Sequence, residues 1–376
     1  MAERSNGSKP RRLGALLGGA LREHLGLALF VAIYAATAAI VAEAVGRSVN
    51  FTMAAKAGLL ATMVLAVFVP AMVALQLVRL RRTAPRTSPT RHLLNQSIAY
   101  VTEARRLAGG LVFLAIFTVF MLSFSTLKDA IPSLNPFSWD IAFRDLDNWM
   151  FFGVPPWKLS FAVFGSGFAT FVLNLFYNAW FFVLYILVLW IAFVANDRRF
   201  RLQFLYAYFL VWAVGGNLLA AVFSSAGPVY FARLGLGPDF EPQMTALNAI
   251  AETWPIWALD TQEALWSAYS NGAGAISGIS AMPSMHVASA FLFMLAGYRI
   301  DRRLGHALAF FAGVIVIGSV HLGWHYFADA LLGMAVTLAA WAAAAFLARW
   351  DCRRIEAAEI ATCGASPTGE TVLQLR

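Results

Sequence analysis

The chain has 376 residues, 60% of them hydrophobic and only 13% charged, with a mean hydropathy of +0.67. Soluble globular domains carry about 25% charged residues, so that class is excluded. The net charge of +8 comes from 28 basic against 20 acidic residues; its distribution sets it against anionic lipid and calls for no nucleic-acid partner.

Apolar runs near or above about 18 residues mark membrane spans. They predict eight helices, at 24–46, 57–78, 107–127, 171–195, 203–223, 285–299, 305–323 and 326–348. The first follows basic residues and ends near Ala42-Glu43-Ala44, but its apolar run exceeds a signal-peptide core and it reads as a retained span. Pro70 predicts a kink in the second that neighbouring helices absorb. Residues 80–104, with Pro85 and Pro89, read as a basic solvated linker. Two long loops follow, 128–170 and 224–284. The second contains Trp254, Trp257, Trp266 and Tyr269 among Asp260 and Glu263, the composition of an interfacial helix that acts as an aromatic anchor rather than a substrate lid. The sixth run is short. The two cysteines, Cys352 and Cys363, fall at the polar C-terminal end, so no disulfide framework is expected. The fold class expected is all-α, a polytopic membrane helical bundle of about eight transmembrane helices with a six-helix core. Residues 1–106 form an N-terminal tail, two extra spans and the linker, 107–350 the catalytic membrane domain, and 351–376 a cytoplasmic tail.

Segments 1–23, 79–106, 198–201, 299–303 and 349–376 hold 22 of the 28 basic residues. The alternate loops hold Arg47, Lys56, Lys128, Arg144, Lys158 and Arg233. This asymmetry puts both termini in the cytoplasm, and the expected location is an inner (plasma) membrane.

Two strings carry chemistry. Pro283-Ser284-Met285-His286 opens the sixth span and His325-Tyr326-Phe327-Ala328-Asp329 the eighth. Asp301-Arg302-Arg303 lies between these helices, so both strings face the external side. In His-x-x-x-Asp the acid sits one helical turn after the His, on the same face. There it can hold one ring nitrogen and leave the other to attack. With His286 as a separate acid this is a kit for metal-free phosphoryl transfer, and no metal or other cofactor is expected. Pro283 and Ser284 suit a helix start, where free N–H groups and the helix dipole favour an anion. His321, one turn before His325, reads as part of a polar shell; its chelation of a metal with His325 and Asp329 is the minor reading. His24, His92 and His306 read as boundary residues, and Asn174, Asn178 and Asn217 as bridges between spans.

These two strings resemble the second and third motifs of the type 2 phosphatidate phosphatase superfamily. Gly227-Pro228-Val229-Tyr230 resembles the loop of its inositol phosphorylceramide synthase branch. The stretch from Trp139-Asp140 through Asp145 to Gly153-x-x-Pro156-Trp157 is similar to bacterial members of that branch. The resemblance covers residues 130–350. It implies that His325 is the nucleophile that forms a phosphohistidine and Asp329 its orienting carboxylate. It implies that His286 protonates the leaving oxygen and later activates the acceptor, and that Ser284 contacts phosphate. Gly227, Pro228, Tyr230, His321 and Ser319 are the further candidates for substrate contact.

Three departures bear on substrate. Ser319 stands where the superfamily's third motif has Arg, Met285 stands where the second has Gly, and the basic first motif has no match. A phosphodiester carries one charge and a monoester nearly two, so losing cationic donors disfavours the monoester more. Arg233, close after Gly227-Pro228-Val229-Tyr230, is the candidate replacement cation or else a lone interfacial Arg that pairs with lipid phosphate. The expected function is a membrane phosphotransferase that moves a phospholipid head group to a lipid hydroxyl. The alternative is a lipid phosphate or diphosphate phosphatase with water as acceptor. A non-catalytic lipid-binding scaffold is the third reading, which the complete His-His-Asp set disfavours.

Overall fold

This computed structural model describes residues 8–46, 66, 68–74, 76–78, 80–82, 89–271 and 278–364. Among them the structure is helical, without strands. The helices are α1 (Ser8–Glu23), α2 (Leu25–Ala44), α3 (Thr90–Val101), α4 (Ala104–Leu134), α5 (Asp140–Met150), α6 (Pro156–Phe164) and α7 (Gly167–Val194). Then come α8 (Arg198–Leu210), α9 (Glu241–Ala251), α10 (Trp257–Asn271), α11 (Met285–Ile300), α12 (Arg302–His321) and α13 (Phe327–Gly364). A π-helical segment, Val211–Leu219, carries α8 on to Val222.

Six described helices are long and apolar enough to cross a membrane: α2, α4, α7, α8 with its continuation, α12 and α13. The short sixth run is α11, apolar and 16 residues long. Half of the predicted second span, 57–78, lies outside the described residues, as does Pro85 of the linker. The linker expectation is corrected at Thr90–Val101, which is helical. Side-chain caps start three of the long helices. Ser166 accepts from the Ala169 N–H, Asp197 from that of Phe200, and Asp301 from those of Arg303 and Leu304. Each satisfies N–H groups that lipid cannot.

The two predicted loops are largely helical. The first begins later than expected, because α4 runs on to Leu134 through Lys128. An apolar window ends at the first charge, whereas a helix continues while its backbone bonds do. The aromatic segment is α10, as expected, and Trp257 and Tyr269 on it are exposed. It is more than an anchor, though. Buried Gln262 donates to the Leu322 carbonyl at 2.9 Å and accepts at its own carbonyl from the Tyr230 hydroxyl at 2.9 Å, which clamps α10 onto the loops of the histidine end.

The basic segments converge at the other end. Arg198 pairs with Glu23 and Glu359, Arg201 with Glu23, and Arg106 donates to the Phe193 carbonyl. The first span belongs to the core between these ends. Leu27 and Val31 pack in one cluster with Phe113, Phe120 and Phe209. Tyr34 stacks on Phe120 with centroids 4.9 Å apart and donates to Asn217, whose amide donates to the Phe124 carbonyl at 3.3 Å.

α11 is shorter than the six long apolar helices. At 1.5 Å per residue α11 is about 24 Å long, short of the roughly 30 Å hydrocarbon layer. His286 on its first turn stacks on Tyr177 and lies tilted against Trp180, well inside α7. The π-helical segment passes beside this point. A Cβ at Gly216 would lie 2.6 Å from the Phe124 ring, so glycine lets the widened helix close on α4, a local irregularity of the kind common near functional sites.

Candidate active site

The turn between α12 and α13 is built around carboxylates. The N–H groups of Trp324 and His325 both donate to the Ser319 carbonyl at 3.1 Å. The next N–H, that of Tyr326, donates to Asp329 Oδ2 at 3.0 Å. Those of Phe327 and Ala328 donate to Asp147 of α5 at 2.7 and 2.9 Å. The first turn of α13 is thus capped from two sides, and His325 is held at its mouth. Its Nδ1 lies 3.2 Å from Asp329 Oδ2. Asp329 can only accept there, so Nδ1 carries the proton and Nε2 is left for the substrate. Asp329 is fully buried, and its Oδ1 has no partner among the described residues.

Two further links bring the motifs together. The Ser284 N–H donates to the Asp329 carbonyl at 3.0 Å, joining α11 to α13, and Ser284 Oγ caps α11 by accepting from Val287. His286 then projects from the first turn of α11. Its ring centroid is 4.3 Å from that of Tyr177, 4.2 Å from that of Trp180, and 6.3 Å from that of His325. The two imidazoles thus stand beside each other, tilted by 59°.

Both rings line a cavity of about 290 Å³ between α4, α7, α8 and α11. Its other walls include Met121, Leu184, Trp212 and Met285, and Lys128 is the one lysine or arginine among the described residues lining it. The described residues place no hydrogen-bond acceptor on the Lys128 ammonium, and its stem lies where a Cβ at Gly278 would sit, 2.6 Å away. Trp180, Tyr208, Trp212 and Trp324 also border this cavity. Their indole N–H groups and the Tyr208 hydroxyl are buried without partners among the described residues. On the other flank of His325 lies a second, more polar cavity of about 210 Å³, bordered by Arg144, Asn148, Lys158, Pro228 and Asp239.

The Gly227-Pro228-Val229-Tyr230 loop reaches the site through Asp140. This buried carboxylate accepts from the N–H groups of Ala226 and Gly227 at 2.9 and 2.8 Å and from the Tyr326 hydroxyl at 2.8 Å. Gly227 has φ +102°, and a Cβ there would fall 2.6 Å from the Trp324 carbonyl, so only glycine lets this loop close on the His325 turn. Pro228 then borders the polar cavity and Tyr230 the apolar one.

Burial dominates the electrostatics. It lowers His325 to about 3, with the Lys128 charge acting the same way and the Ala281 backbone against it. The imidazole is therefore neutral and nucleophilic at physiological pH. Burial raises Asp147 to about 7 against its two N–H donors, with the Asp329 charge adding to the rise. It also raises Asp140, against the donors from Ala226, Gly227 and Tyr326.

The structure thus gathers His325, Asp329, His286, Ser284, Gly227, Pro228 and Tyr230. Two sequence expectations, those on Arg233 and Ser319, are corrected. Arg233 does not line the cavity: its guanidinium donates to Glu263 at 2.6 Å and lies over the Trp266 ring. His321 is committed at both nitrogens, to Ser160 at 3.1 Å and Thr170 at 3.0 Å, and stacks on Phe161. It belongs to a packed polar shell, and the chelate with His325 and Asp329 does not form. Ser319 is fully buried, with its hydroxyl donating to the Val316 carbonyl at 2.8 Å, and serves the turn. Lys128 and Asp147 were missed as site residues. Lys128 was counted as a loop cation, and nothing in the local pattern marks Asp147.

A family model described as the PAP2 superfamily matches residues 141–343, just over half of the chain and the whole run from α5 into α13. The chain belongs to the PAP2 superfamily. Membership points to lipid phosphatase or phosphotransferase chemistry and agrees with a multi-pass membrane protein. No curated protein and no solved structure matches it.

Proposed function

We propose that this PAP2 protein transfers the phosphate-bearing head group of a phospholipid to a lipid hydroxyl through a phosphohistidine on His325. The observation that carries the reading is the Asp329-oriented His325 facing His286 across an apolar cavity. In the first step His325 Nε2 attacks phosphorus. The bond from phosphorus to the diacylglycerol oxygen breaks, and His286, which holds a proton once the anionic phosphate lies beside it, gives that oxygen the proton. In the second step the now neutral His286 takes the proton of an acceptor hydroxyl. The acceptor oxygen attacks phosphorus, the P–N bond breaks, and His325 is restored.

Lys128 supplies one fixed positive charge beside the phosphate, and the unpartnered indole N–H groups add neutral donors. One charge suits a phosphodiester better than a dianionic monoester, which supports the sphingolipid-synthase-like reading from Gly227-Pro228-Val229-Tyr230. The polar cavity bordering His325 favours a second reading, in which water enters there and the enzyme is a lipid phosphatase. The site faces outward and both termini are cytoplasmic in this reading, because the basic segments gather at the end opposite the histidines.

The test is a lipid-product assay in vesicles holding labelled phosphatidylinositol or phosphatidylglycerol, with and without ceramide. Transfer predicts a labelled head group on a new lipid that depends on the acceptor. Label released only as a water-soluble phosphate would replace the transferase reading with the phosphatase one.

A further inference from the structure

The end of the bundle opposite the histidines holds a second pair of cavities, of about 330 and 380 Å³. Glu23, Arg105 and Arg198 border both, so the two adjoin. The first is polar and is completed by His24, Arg106 and Arg201. The second mixes Leu16, Ala20, Ile355 and Ala358 with Arg22 and Arg354. It is amphipathic in the way a phospholipid is.

Charge is in excess there. Six guanidiniums border the pair, against the carboxylates of Glu23, Glu103 and Glu359. Arg106, Arg198, Arg201 and Arg354 are held by Glu103, Glu23, Glu359 and Asp351. The Arg22 and Arg105 side chains are exposed, and no acceptor among the described residues holds them. Two buried polar atoms are also left over on the polar cavity's lining residues. His24 Nδ1 donates to the Ala20 carbonyl at 2.9 Å, but its Nε2 has no partner among the described residues, and neither has Arg106 Nε. Buried groups of this kind are costly unless something pairs with them. On α1, Cβ atoms placed at Gly14, Gly18 or Gly19 would meet nothing within 4 Å, and Gly19 borders the amphipathic cavity.

We propose that these cavities bind an anionic glycerophospholipid from the leaflet at the basic end. Arg22 and Arg105 hold its phosphate, and its chain lies against Leu16, Ala20, Ile355 and Ala358. With Nδ1 donating to Ala20, His24 Nε2 is an acceptor, which suits a head-group hydroxyl and favours glycerol over choline. The lipid ties α1 to α4, α8 and α13 and acts as a structural ligand. The proposal does not depend on the histidine chemistry.

The experiment is thermal unfolding of the full chain in neutral detergent, with phosphatidylglycerol, phosphatidylcholine or inorganic phosphate added. A ligand that binds only the folded state raises Tm. Phosphatidylglycerol is expected to raise it by several degrees, and phosphatidylcholine and phosphate by less than about one degree. The double variant Arg22→Gln/Arg105→Gln should lose the response. Gly19→Phe keeps both arginines and fills the open space, and it should lose the response too; it decides the matter if the double variant does not fold. Equal shifts with phosphatidylcholine, a full shift with phosphate alone, or a Gly19→Phe protein that responds like the unmodified one would each overturn the proposal.

Discussion

Replacing Lys128 with methionine tests the site most sharply, because it should lower activity and raise stability together. Methionine keeps the stem that packs against Gly278 and removes only the ammonium. A charge-assisted contact to a desolvated phosphate is worth about 1.5–3 kcal/mol, so kcat/KM should fall by about 10- to 150-fold. Lys128 touches the phosphate in both ground and transition states, so part of the loss should appear in KM. Among the described residues no acceptor holds this cation, and it lines an otherwise mostly apolar cavity. Its removal should therefore stabilise the protein by on the order of 1 kcal/mol. The assay is steady-state turnover of phosphatidylinositol in mixed micelles, with Tm measured on the same preparations. Turnover within about twofold of the unmodified protein would show that Lys128 does not meet the phosphate. Lower activity with lower stability would make the residue merely structural.

Three further outcomes are expected. His325→Ala should abolish covalent labelling and turnover, whereas His286→Ala should slow the first step except with an acidic leaving group such as p-nitrophenol; full turnover by His325→Ala would remove the nucleophile assignment. Acid should destabilise the protein through His325. Its folded value of about 3 lies below the ordinary value of 6.5, so its contribution is complete above pH 6.5 and is lost as pH falls toward 3. Urea unfolding should show a loss of up to a few kcal/mol across that window, and a His325→Asn protein with an equally steep slope would contradict it. An impermeant thiol reagent should label Ser270→Cys from outside and spare Asn196→Cys; the opposite pattern would invert the topology.

The reach of the sequence differs from element to element. Spans such as Leu25–Ala44 and Gly167–Val194 were legible because a bilayer demands a fixed length of apolar helix, which is a one-dimensional property. The four-residue spacing of His325 and Asp329 pointed to their pairing, although α13 begins only at Phe327 and the turn before it brings the two together. Ser284 as the cap of α11 followed from local chemistry as well. The helices inside the predicted loops were less visible, because α5 and α9 cover the site rather than cross the membrane and carry no long apolar run.

What only the tertiary structure decided concerns groups that meet from distant parts of the chain. Lys128 and Arg233 look alike in sequence, each a lone cation beyond a span. One reaches the His286 cavity because α4 continues past its apolar run, and the other is neutralised by Glu263 one helix away. His321 reads as part of a polar shell in sequence, but only the fold shows that Ser160 and Thr170 are its partners. Asp140 and Asp147 became the anchors of the site only when α5 folded over the start of α13. The amino-acid sequence by itself determined the membrane class and the long apolar helices, and it put His325 close to Asp329, since these depend on composition and on near neighbours along the chain. Which cation faces the phosphate and which buried polar group is left without a partner were decided by packing between helices, because pairing and desolvation depend on neighbours that local order does not encode.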